Sequence, residues 1–522
     1  MELRKIANPA FLLAFPPMQF TVGEMIRPDG TLALPYLSAS LNRAGYRADI
    51  LDMSVGSTKD TLEQTFYREE RVTDQFVRVG MTHERILQEV RDYDVIGLTS
   101  IFTQQTSRCF EVSQLIKKHY PEKILIAGGV NARSLRHHFF DNGFDVVFLS
   151  ESEIPIVQFA RHLERGGSSL QEVPGIAYRQ NGQIVINPVG QPVHLLDEYP
   201  MPAWEKLPNE KYWEISRLFG GKEGWLTPDS HPKYAALITS RGCPFRCTYC
   251  HISKERGAEA GDIGDLRLHS VERVADELDH LHGLGVDTIF INDDSFLAKK
   301  ARVFQILDRL RKYNFTLADV NGVNIAHLFT RHAGDLVVDE DLLIALYEAG
   351  FRRISIPFES GTQRIISKYS TGKWNLQHCD VLDLVRKMNR IGIVASGNFM
   401  IGYPDETQDE LTNTFMLARR AMDAGLAACS FFMVQPFPGT LLFEESIQNG
   451  QLSPNWHWDD LGWSKGSPFN HPKISKDVLK YTWELVWKLL NRDSRVGSVA
   501  DQLSKTLHSD PIATPFELPV VS

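Results

Sequence analysis

The stretch Thr239-Ser-Arg-Gly-Cys243-Pro-Phe-Arg-Cys247-Thr-Tyr-Cys250-His251 carries three thiols in the spacing CxxxCxxC. The apolar run Ala235-Ala-Leu-Ile238 just before it predicts a buried strand, and the Gly-Cys-Pro step predicts that regular structure stops there. A strand that feeds a tight cysteine loop suits a metal centre, because the loop can wrap a centre that the strand holds rigid. Three thiolates around a four-iron cubane leave one iron without a protein ligand, and that iron can bind a small molecule and pass it an electron.

Two other interpretations of these cysteines stay open. With the adjacent His251 the three thiolates would make a closed zinc site, and the thiols could also be ordinary core residues. A structural zinc module usually divides its ligands into two separated pairs, and the sequence has no second pair. The favoured prediction is therefore a [4Fe–4S] cluster on Cys243, Cys247 and Cys250.

The composition is that of an ordinary globular protein. A chain of 522 residues with 43% hydrophobic and 23% charged residues predicts about two to four domains. A net charge of −9 without a basic run argues against a nucleic-acid partner. Six cysteines in a chain this long do not make a disulfide framework, so we expect a reducing, cytoplasmic location. No apolar run has membrane-spanning length, and no membrane span is expected.

The first third of the chain alternates short apolar runs with amphipathic stretches, a pattern typical of a doubly wound, Rossmann-like parallel sheet. The runs are residues 11–15, 48–51, 95–98, 124–127 and 146–149. Ligands of such sheets bind beyond the carboxyl ends of the strands. The residues at or next to those ends are Pro17, Met18, Thr99, Ser100, Ile101, Phe102, Gly128, Gly129, Val130, Ser150, Glu151 and Glu153.

These strand-end residues suit a flat ligand with a polar rim. Gly128 and Gly129 have no Cβ, so the backbone can approach a ring face. Glu151 and Glu153 can accept hydrogen bonds from ribose or amide groups. No GxGxxG follows the first strand, which disfavours a dinucleotide. A Rossmann-like domain without any ligand remains an open alternative.

From residue 233 the alternation of apolar runs and helices resumes and predicts a partial (β/α)6 TIM-type barrel. The runs are residues 236–239, 288–291, 317–320, 354–358, 394–400 and 429–434. Active sites of parallel barrels lie at the carboxyl ends of the strands. The polar residues expected there are Asp293, Asp294, Glu359, Ser360, Asn398 and Gln435. Two structural alternatives stay open: Asp294 could cap a helix, and Glu359 could pair with Arg352 or Arg353.

The remaining segments are a connector and a tail. A Pro- and Gly-rich connector with a hairpin at Asn181-Gly182 joins the two domains, and a small, mostly helical segment ends the chain. That tail could cover the barrel mouth or shield the barrel's open edge. Within the barrel domain, Glu406 is expected to cap the helix that follows this residue. The predicted boundaries are 1–165, 166–232, 233–445 and 446–522.

The cysteine loop resembles that of the radical S-adenosylmethionine (SAM) superfamily. The resemblance implies that the open iron chelates SAM, whose reductive cleavage yields a 5′-deoxyadenosyl radical. It also implies that the backbone of Tyr249 meets the adenine, that Asp293 or Asp294 binds the amino group, and that the remaining SAM contacts are Glu359, Ser360, Asn398 and Gln435. The usual Gly-Gly-Glu motif is replaced here by Asn292-Asp-Asp-Ser295, and Asn398 stands where Gly is usual.

The first 165 residues resemble the cobalamin-binding domain often fused to radical enzymes. The motifs that carry this resemblance are Phe15-Pro-Pro, Ala44-Gly-Tyr46, Ile96-Gly-Leu-Thr-Ser100 and Ala127-Gly-Gly129. No Asp-x-His-x-x-Gly occurs, and the first histidine is His83, so the imidazole that would ligate cobalt from below is missing. We expect the lower face of cobalamin to be empty or covered by a side chain near Met18 or Phe102.

Together the motifs resemble a cobalamin-dependent radical SAM enzyme over about residues 1–445. The resemblance implies methylation of an unactivated carbon, or a phosphinate phosphorus, of a small molecule or natural-product intermediate through methylcobalamin and the adenosyl radical. It also implies an external electron donor such as flavodoxin or ferredoxin. Two alternatives stay open: a cyclase, ring-contraction or oxidative enzyme that uses both cofactors without methyl transfer, and a non-catalytic corrinoid-binding redox sensor. The substrate is not indicated.

Overall fold

The computed structural model describes residues 4–22, 32–166, 169–219, 232–257, 259–319, 321–462 and 466–490. The predictions made for other parts of the connector and tail concern residues outside these described ranges. No helix among the described residues combines the length and the apolarity needed to cross a bilayer.

The strands of the described chain are β1 Phe11–Phe15, β2 Met18–Thr21, β3 Ala48–Asp52, β4 Glu69–Arg71, β5 Phe76–Val79, β6 Val95–Thr99, β7 Ile124–Gly128, β8 Val146–Phe148, β9 Ile176–Gln180, β10 Gln183–Ile186, β11 Tyr234–Leu237, β12 Ser240–Arg241, β13 Arg267–Leu268, β14 Thr288–Ile291, β15 Thr316–Asp319, β16 Phe329–His332, β17 Asp335–Val338, β18 Phe351–Glu359, β19 Val394–Ile401 and β20 Ala428–Met433.

The α-helices of the described chain are α1 Ala33–Arg43, α2 His83–Val90, α3 Thr106–His119, α4 Val130–Ser134, α5 Arg136–Asp141, α6 Glu153–Arg165, α7 Asn209–Phe219, α8 Val271–Gly283, α9 Lys300–Leu310, α10 Glu340–Ala349, α11 Gln363–Tyr369, α12 Val381–Ile391, α13 Gln408–Asp423, α14 Leu441–Gln448 and α15 Lys476–Leu490.

The N-terminal sheet is doubly wound, as predicted. Its order is β10-β9-β8-β7-β6-β1-β3, and the strands β3, β1, β6, β7 and β8 are parallel. Apolar side chains from β1, β6 and β7 are buried on both faces, against α1 and α6 on one side and α2, α3 and α5 on the other. The order of strand addition reverses between β1 and β6, since β3 lies on one side of β1 and β6, β7 and β8 follow on the other. Such a switch point opens a crevice for ligands at the carboxyl edge.

The hairpin predicted in the connector is present, and it extends the N-terminal sheet. Strands β9 and β10 pair antiparallel around Asn181 and Gly182, and β9 pairs antiparallel with β8. The rest of the connector runs on to the barrel, where the buried Trp204 packs in the core.

The second sheet confirms the predicted partial barrel. Six strands lie parallel in the order β11-β14-β15-β18-β19-β20, which is also their order along the chain. Helices α8, α9, α10, α12 and α13 bury their apolar faces against this sheet. Ser270 and Asp339 cap α8 and α10 through side-chain oxygens.

Tryptophan side chains cover both edges of this open barrel. Trp204 and Trp213 donate indole N–H bonds to carbonyls of the first edge strand, Ala236 O at 3.0 Å and Tyr234 O at 2.8 Å. On the other edge, Trp483 of α15 donates to Phe431 O of β20 at 2.8 Å. Helix α15 therefore lies on the barrel's open edge, which is one of the two positions that the sequence left open for the tail.

The expectation that Glu406 caps the next helix is wrong. The cap of α13 is Thr407, which forms a capping box with Glu410. The Glu406 carboxylate turns back and accepts hydrogen bonds from the backbone N–H groups of Gly402 at 2.7 Å and Tyr403 at 3.3 Å. It closes the turn after β19 instead of starting the helix.

Candidate active site

A cavity of about 1000 Å³ lies between the two domains, at the carboxyl ends of both parallel sheets. Most of the residues predicted for cobalamin line it, and Asp294 lines it from the barrel side. The predicted residues in its wall are Met18, Thr99, Ile101, Phe102, Gly128, Gly129, Val130, Ser150, Glu151, Glu153 and Asp294. The cavity is therefore shared by the strand-end residues of the N-terminal sheet and by the start of the cysteine motif, Ser240 to Gly242, while the three cysteines themselves lie outside its lining.

Two of the residues predicted for cobalamin lie behind the cavity wall. Ser100 is buried; its hydroxyl accepts a hydrogen bond from Asn131 at 2.8 Å, and its N–H donates to Gly128 O at 2.8 Å. Pro17 is also buried, close to Gly80. These two residues shape the loops on which the wall residues stand.

The cavity continues into the N-terminal domain as an apolar slot. The slot lies between the sheet and helices α1 and α6, and its walls include Leu13, Gly97, Ile126, Phe148 and Ile156. This combination of an open chamber and an apolar slot has the room and the chemistry for a large ring with an appended group.

The two glycines at the end of β7 have different structural roles. A Cβ on Gly128 would have no closer protein neighbour than Phe148 Cβ at 4.0 Å, so its missing side chain leaves open cavity. Gly129 has φ +104, and a Cβ there would lie 2.4 Å from Ser100 O. Gly129 is therefore required by the turn, whereas Gly128 is free to accommodate a ligand.

The cysteine loop is held by backbone contacts. Gly242 has φ +79, and a Cβ there would lie 2.3 Å from Asp265 O. Cys243 N donates to Gly264 O at 3.1 Å, and Thr248 N donates to Tyr369 O at 2.8 Å. The loop is thus fixed against the following segment and against the end of α11.

The three thiols lie within electrostatic reach of each other. Burial raises the pKa of Cys247 to about 11 and also raises that of Cys243 and Cys250, while the Lys373 ammonium lowers the pKa of Cys243 and Cys247. A group of anionic sulfurs in this setting needs positive charge, which a cluster's irons supply. Among the described residues, no three or more His, Cys, Asp and Glu side chains are arranged to hold a single metal ion.

The two neighbouring aspartates after β14 have different positions. Asp293 is buried, and its carboxylate accepts hydrogen bonds from Thr239 N at 2.6 Å, Thr239 Oγ1 at 2.7 Å and the Ser240 hydroxyl. Asp294 is exposed to the cavity and accepts one hydrogen bond, from Gly242 N at 3.2 Å. Desolvation by the surrounding protein raises the pKa of Asp294 to about 6, against the opposing effect of His251 and with a further increase from the Glu255 and Asp293 carboxylates. Of the two, Asp294 has the carboxylate available to a ligand.

Glu359 has an unusual backbone conformation at the end of β18. Its φ is +64, in the left-handed region that non-glycine residues rarely adopt, and such outliers concentrate at functional sites. Its carboxylate pairs with Lys373 at 3.1 Å. The alternative of a salt bridge to Arg352 or Arg353 is thus replaced by a pair that adjoins the cysteine loop.

The other residues predicted for SAM do not line the cavity. Ser360 is buried and its hydroxyl contacts Thr414 Oγ1 at 3.1 Å, which ties the loop to α13. Gln435 is buried, and its Oε1 has no hydrogen-bond partner. Asn398 is half-buried in β19, and Tyr249 is half-buried with its hydroxyl 3.1 Å from Ser370 Oγ. The Gln435 amide donates to Gly466 O at 3.3 Å, so within the described residues its oxygen is the part of the side chain without a partner.

Sequence reasoning missed the charged contacts between the domains. Arg133 of α4 donates to Glu255 at 2.8 Å, and Glu255 also pairs with His251 at 3.3 Å. Arg241, inside the cysteine motif, pairs with Glu153 at 2.7 Å. Arg133 and Glu255 carry no local signal, and Arg241 could only have been noted for its place two residues before Cys243.

Two family models match the chain. The model of the radical SAM superfamily matches residues 237–418, and the model of the B12 binding domain matches residues 30–160. The first match covers the cysteine loop and most of the barrel, and the second covers most of the N-terminal sheet. These families imply a [4Fe–4S] cluster, SAM and cobalamin, and the three free thiols, the open cavity and the bare Gly128 fit those groups.

Several known proteins are similar to the chain. The cytidylyl-2-hydroxyethylphosphonate methyltransferase of Streptomyces wedmorensis is 28% identical over 81% of this chain and 79% of that protein. An uncharacterized methyltransferase of Pyrococcus horikoshii is 27% identical over 85% of each chain. The anaerobic magnesium-protoporphyrin IX monomethyl ester cyclase of Rubrivivax gelatinosus is 25% identical over 72% of this chain and 63% of that protein.

Solved structures share the fold. The radical SAM methyltransferase TsrM of Kitasatospora setae, with cobalamin and a [4Fe-4S] cluster bound, matches with a TM-score of 0.59 at 14% identity, over 85% of this chain and 78% of that chain. The cobalamin-dependent radical enzyme OxsB, with aqua-cobalamin and SAM bound, matches with a TM-score of 0.59 at 19% identity, over 95% of this chain and 56% of that chain. Both likenesses extend across the N-terminal sheet and the barrel.

Proposed function

Because the chain joins a B12-binding domain to a domain of the radical SAM superfamily, we propose that it is a cobalamin-dependent radical SAM methyltransferase. Its substrate is a small molecule or natural-product intermediate that is methylated at an unactivated carbon or a phosphinate phosphorus. The observation that carries this proposal is the single cavity shared by the carboxyl ends of both sheets. The similarity to methyltransferases over more than four-fifths of the chain supports it.

The chain's residues divide between the cofactors by domain. Cys243, Cys247 and Cys250 hold the cluster, and Asp294 and Gln435 supply carboxylate and amide oxygens for SAM. The strand-end loops of the N-terminal sheet hold cobalamin, with Gly128 against the ring. When bound, SAM on the cluster supplies a 5′-deoxyadenosyl radical, and cobalamin supplies the methyl group.

The protein's own contribution is to bring the reacting groups together in one cavity. An sp³ carbon has no lone pair, so ordinary nucleophilic transfer fails and a carbon-centred radical is needed. Binding both cofactors at the carboxyl ends of the two facing sheets would make the transfer effectively unimolecular. Apolar wall residues such as Phe20, Ile101 and Phe432 limit water around the reacting groups.

The cluster needs an electron from outside the chain. We assign this step to a small reduced carrier such as flavodoxin or ferredoxin. An oxygen-sensitive cluster and six free cysteines fit a reducing cytoplasm.

The first experiment is anaerobic reconstitution with iron and sulfide, followed by hydroxocobalamin and SAM under reduction. We expect about four irons per chain, and both S-adenosylhomocysteine and 5′-deoxyadenosine as products. Cys250→Ala should lose the iron, whereas Cys429→Ala, at a buried core cysteine of β20, should keep it. Wild-type protein that binds one zinc and no iron would refute the proposal.

The second candidate function is a reaction with both cofactors but without methyl transfer. The similarity to a protoporphyrin ester cyclase favours it, over a smaller part of the chain. Such an enzyme would make 5′-deoxyadenosine without S-adenosylhomocysteine. A non-catalytic corrinoid sensor would make neither.

A further inference from the structure

Arg241 connects the cysteine loop to the N-terminal domain. It lies two residues before Cys243, in the short strand β12. Its guanidinium donates to Glu153 at 2.7 Å and pairs with Glu151 at 3.3 Å. The rings of Tyr36 and Tyr199 flank it, each with the centroid 4.7 Å from the guanidinium carbon. A planar guanidinium held by two carboxylates and two ring faces has little freedom to move.

The carboxylate oxygens of Glu151 already accept hydrogen bonds from protein donors. Arg267 of β13, which pairs with β12, donates to both of its oxygens at 2.6 and 2.9 Å, and the Tyr199 hydroxyl donates at 2.9 Å. Because these donors and Arg241 surround the carboxylate, little hydrogen-bonding capacity is left for a ligand. Glu153 accepts from Arg241 and also lines the cavity. That the two glutamates accept hydrogen bonds from cobalamin stays a prediction.

This network forms part of the cavity wall. Tyr36, Glu151, Glu153 and Arg241 all line the cavity, and the side chains of Glu153 and Arg241 are only 7% and 14% exposed. A charge pair with so little solvent is screened weakly, and removing one partner leaves the other uncompensated. The pair thus links the start of α6 in the N-terminal domain to the cysteine loop of the barrel.

We propose that Glu153, supported by Glu151, is a positioning residue that acts through Arg241 to set the cluster loop relative to the cobalamin cavity. This inference rests on the proposed function, since it assumes that the loop holds a cluster. Arg133 and Glu255 brace the other side of the same loop, so the loop is held at both ends by the N-terminal domain.

The test uses Glu153→Gln in the full-length, reconstituted protein. Hydroxocobalamin affinity, followed by absorbance, should equal that of the wild type. The electron paramagnetic resonance spectrum of the reduced cluster with SAM, and its spin coupling to cob(II)alamin, should change. Cleavage of SAM without substrate should slow by up to about 10²-fold, the loss that a small misplacement causes.

Three variants make the test specific. In an Arg241→Gln background, Glu153→Gln should cause no further spectral change, because two residues that act through one contact are not additive. Glu153→Asp keeps the charge and should shift the spectrum less. Glu259→Gln removes an exposed contact between the same domains, with Arg136 at 2.7 Å, and should leave all readouts unchanged.

Two results would overturn the inference and leave the proposed function standing. One is a loss of about tenfold or more in hydroxocobalamin affinity with an unchanged cluster spectrum, which would make Glu153 a direct cobalamin contact. The other is no change in any readout. Wild-type protein that binds neither iron nor cobalamin would instead refute the proposed function, and this inference with it.

Discussion

At the scale of single residues, Gly128 allows a test that separates protein stability from cobalamin binding. A Cβ there would meet no protein atom nearer than 4.0 Å, and Gly128 lines the cavity, so the side chain of Gly128→Leu can extend into the cavity and should change the melting temperature little. It should fill the cavity and weaken hydroxocobalamin binding by about tenfold or more, since overpacking an occupied site costs ~1–3 kcal/mol. Absorbance titration measures the affinity.

The control for this change is Gly190→Leu, at an exposed glycine whose Cβ would also meet no atom within 4 Å. It should bind hydroxocobalamin like the wild type. Equal affinities for the two variants would mean that cobalamin does not lie against the end of β7.

Glu406 gives a pH-dependent prediction. Burial raises the pKa of Glu406 from 4.5 to about 8. The backbone N–H bonds from Gly402 and Tyr403 act in the opposite direction and lower this pKa. The nearby Glu410 carboxylate raises it and Arg364 lowers it. Between about pH 5 and pH 8 the folded protein therefore binds more protons at this site than the unfolded chain, so the site's contribution to stability falls as pH rises. Glu406→Gln is already neutral and should show a flatter dependence of melting temperature on pH. Parallel curves for the two proteins would contradict this.

Sequence patterns could predict the site only where function depends on local spacing. The cysteine motif and the strand-end glycines are of this kind. The different positions of Asp293 and Asp294 could not be predicted, because they depend on Thr239 and Ser240, which follow β11 and are distant in sequence. Lys373 and Arg267 were missed for the same reason: their partners are distant in sequence.

At the scale of elements, apolar runs located the parallel strands because such strands are buried on both faces. Several strand boundaries differ from the predicted runs by one to three residues. The first barrel strand, predicted to end at Thr239, ends at Leu237, and the Thr239 N–H donates to the Asp293 side chain instead. The small sheet of β2, β4 and β5 was not predicted. All residues of β4 are exposed, so no apolar pattern marks it.

The capping box of α13 is the testable feature at this scale. Thr407 Oγ1 accepts from Glu410 N at 3.3 Å, and Glu410 Oε2 accepts from Thr407 N at 2.9 Å. Thr407→Ala should lower the free energy of unfolding by about 1 kcal/mol, as measured by urea titration. Thr407→Ser keeps the hydroxyl and should stay close to the wild type; an equal loss in both variants would show that the methyl group, not the cap, matters.

At the scale of the whole molecule, the C-terminal segment joins the barrel to the N-terminal domain. Asp459 accepts hydrogen bonds from Gln19 Nε2 and from Ser107 Oγ, both at 2.9 Å. The Trp458 indole donates to the same Ser107 at 2.8 Å and packs edge-on against Phe110 at 5.4 Å. The segment therefore braces the loop that carries Ile101 and Phe102 into the cavity.

Removing this brace should loosen one wall of the cavity. Asp459→Ala leaves the nearly buried Gln19 amide without its partner, which costs ~1–3 kcal/mol locally. Amide hydrogen exchange across residues 101–107 should become faster, while exchange in the barrel strands stays slow. Asp460→Ala, at the exposed neighbouring carboxylate, is the control. Unchanged exchange in Asp459→Ala would show that the loop is held by other contacts.

The indole contacts of Trp204, Trp213 and Trp483 bear on how this protein behaves in a crowded solution. A partial barrel has two edge strands, and unpaired carbonyls on an edge strand can form hydrogen bonds with a strand of another molecule, which leads to aggregation. Three ring N–H groups occupy carbonyls along those borders. The barrel can thus remain open without offering these three carbonyls to a strand of another copy of the chain.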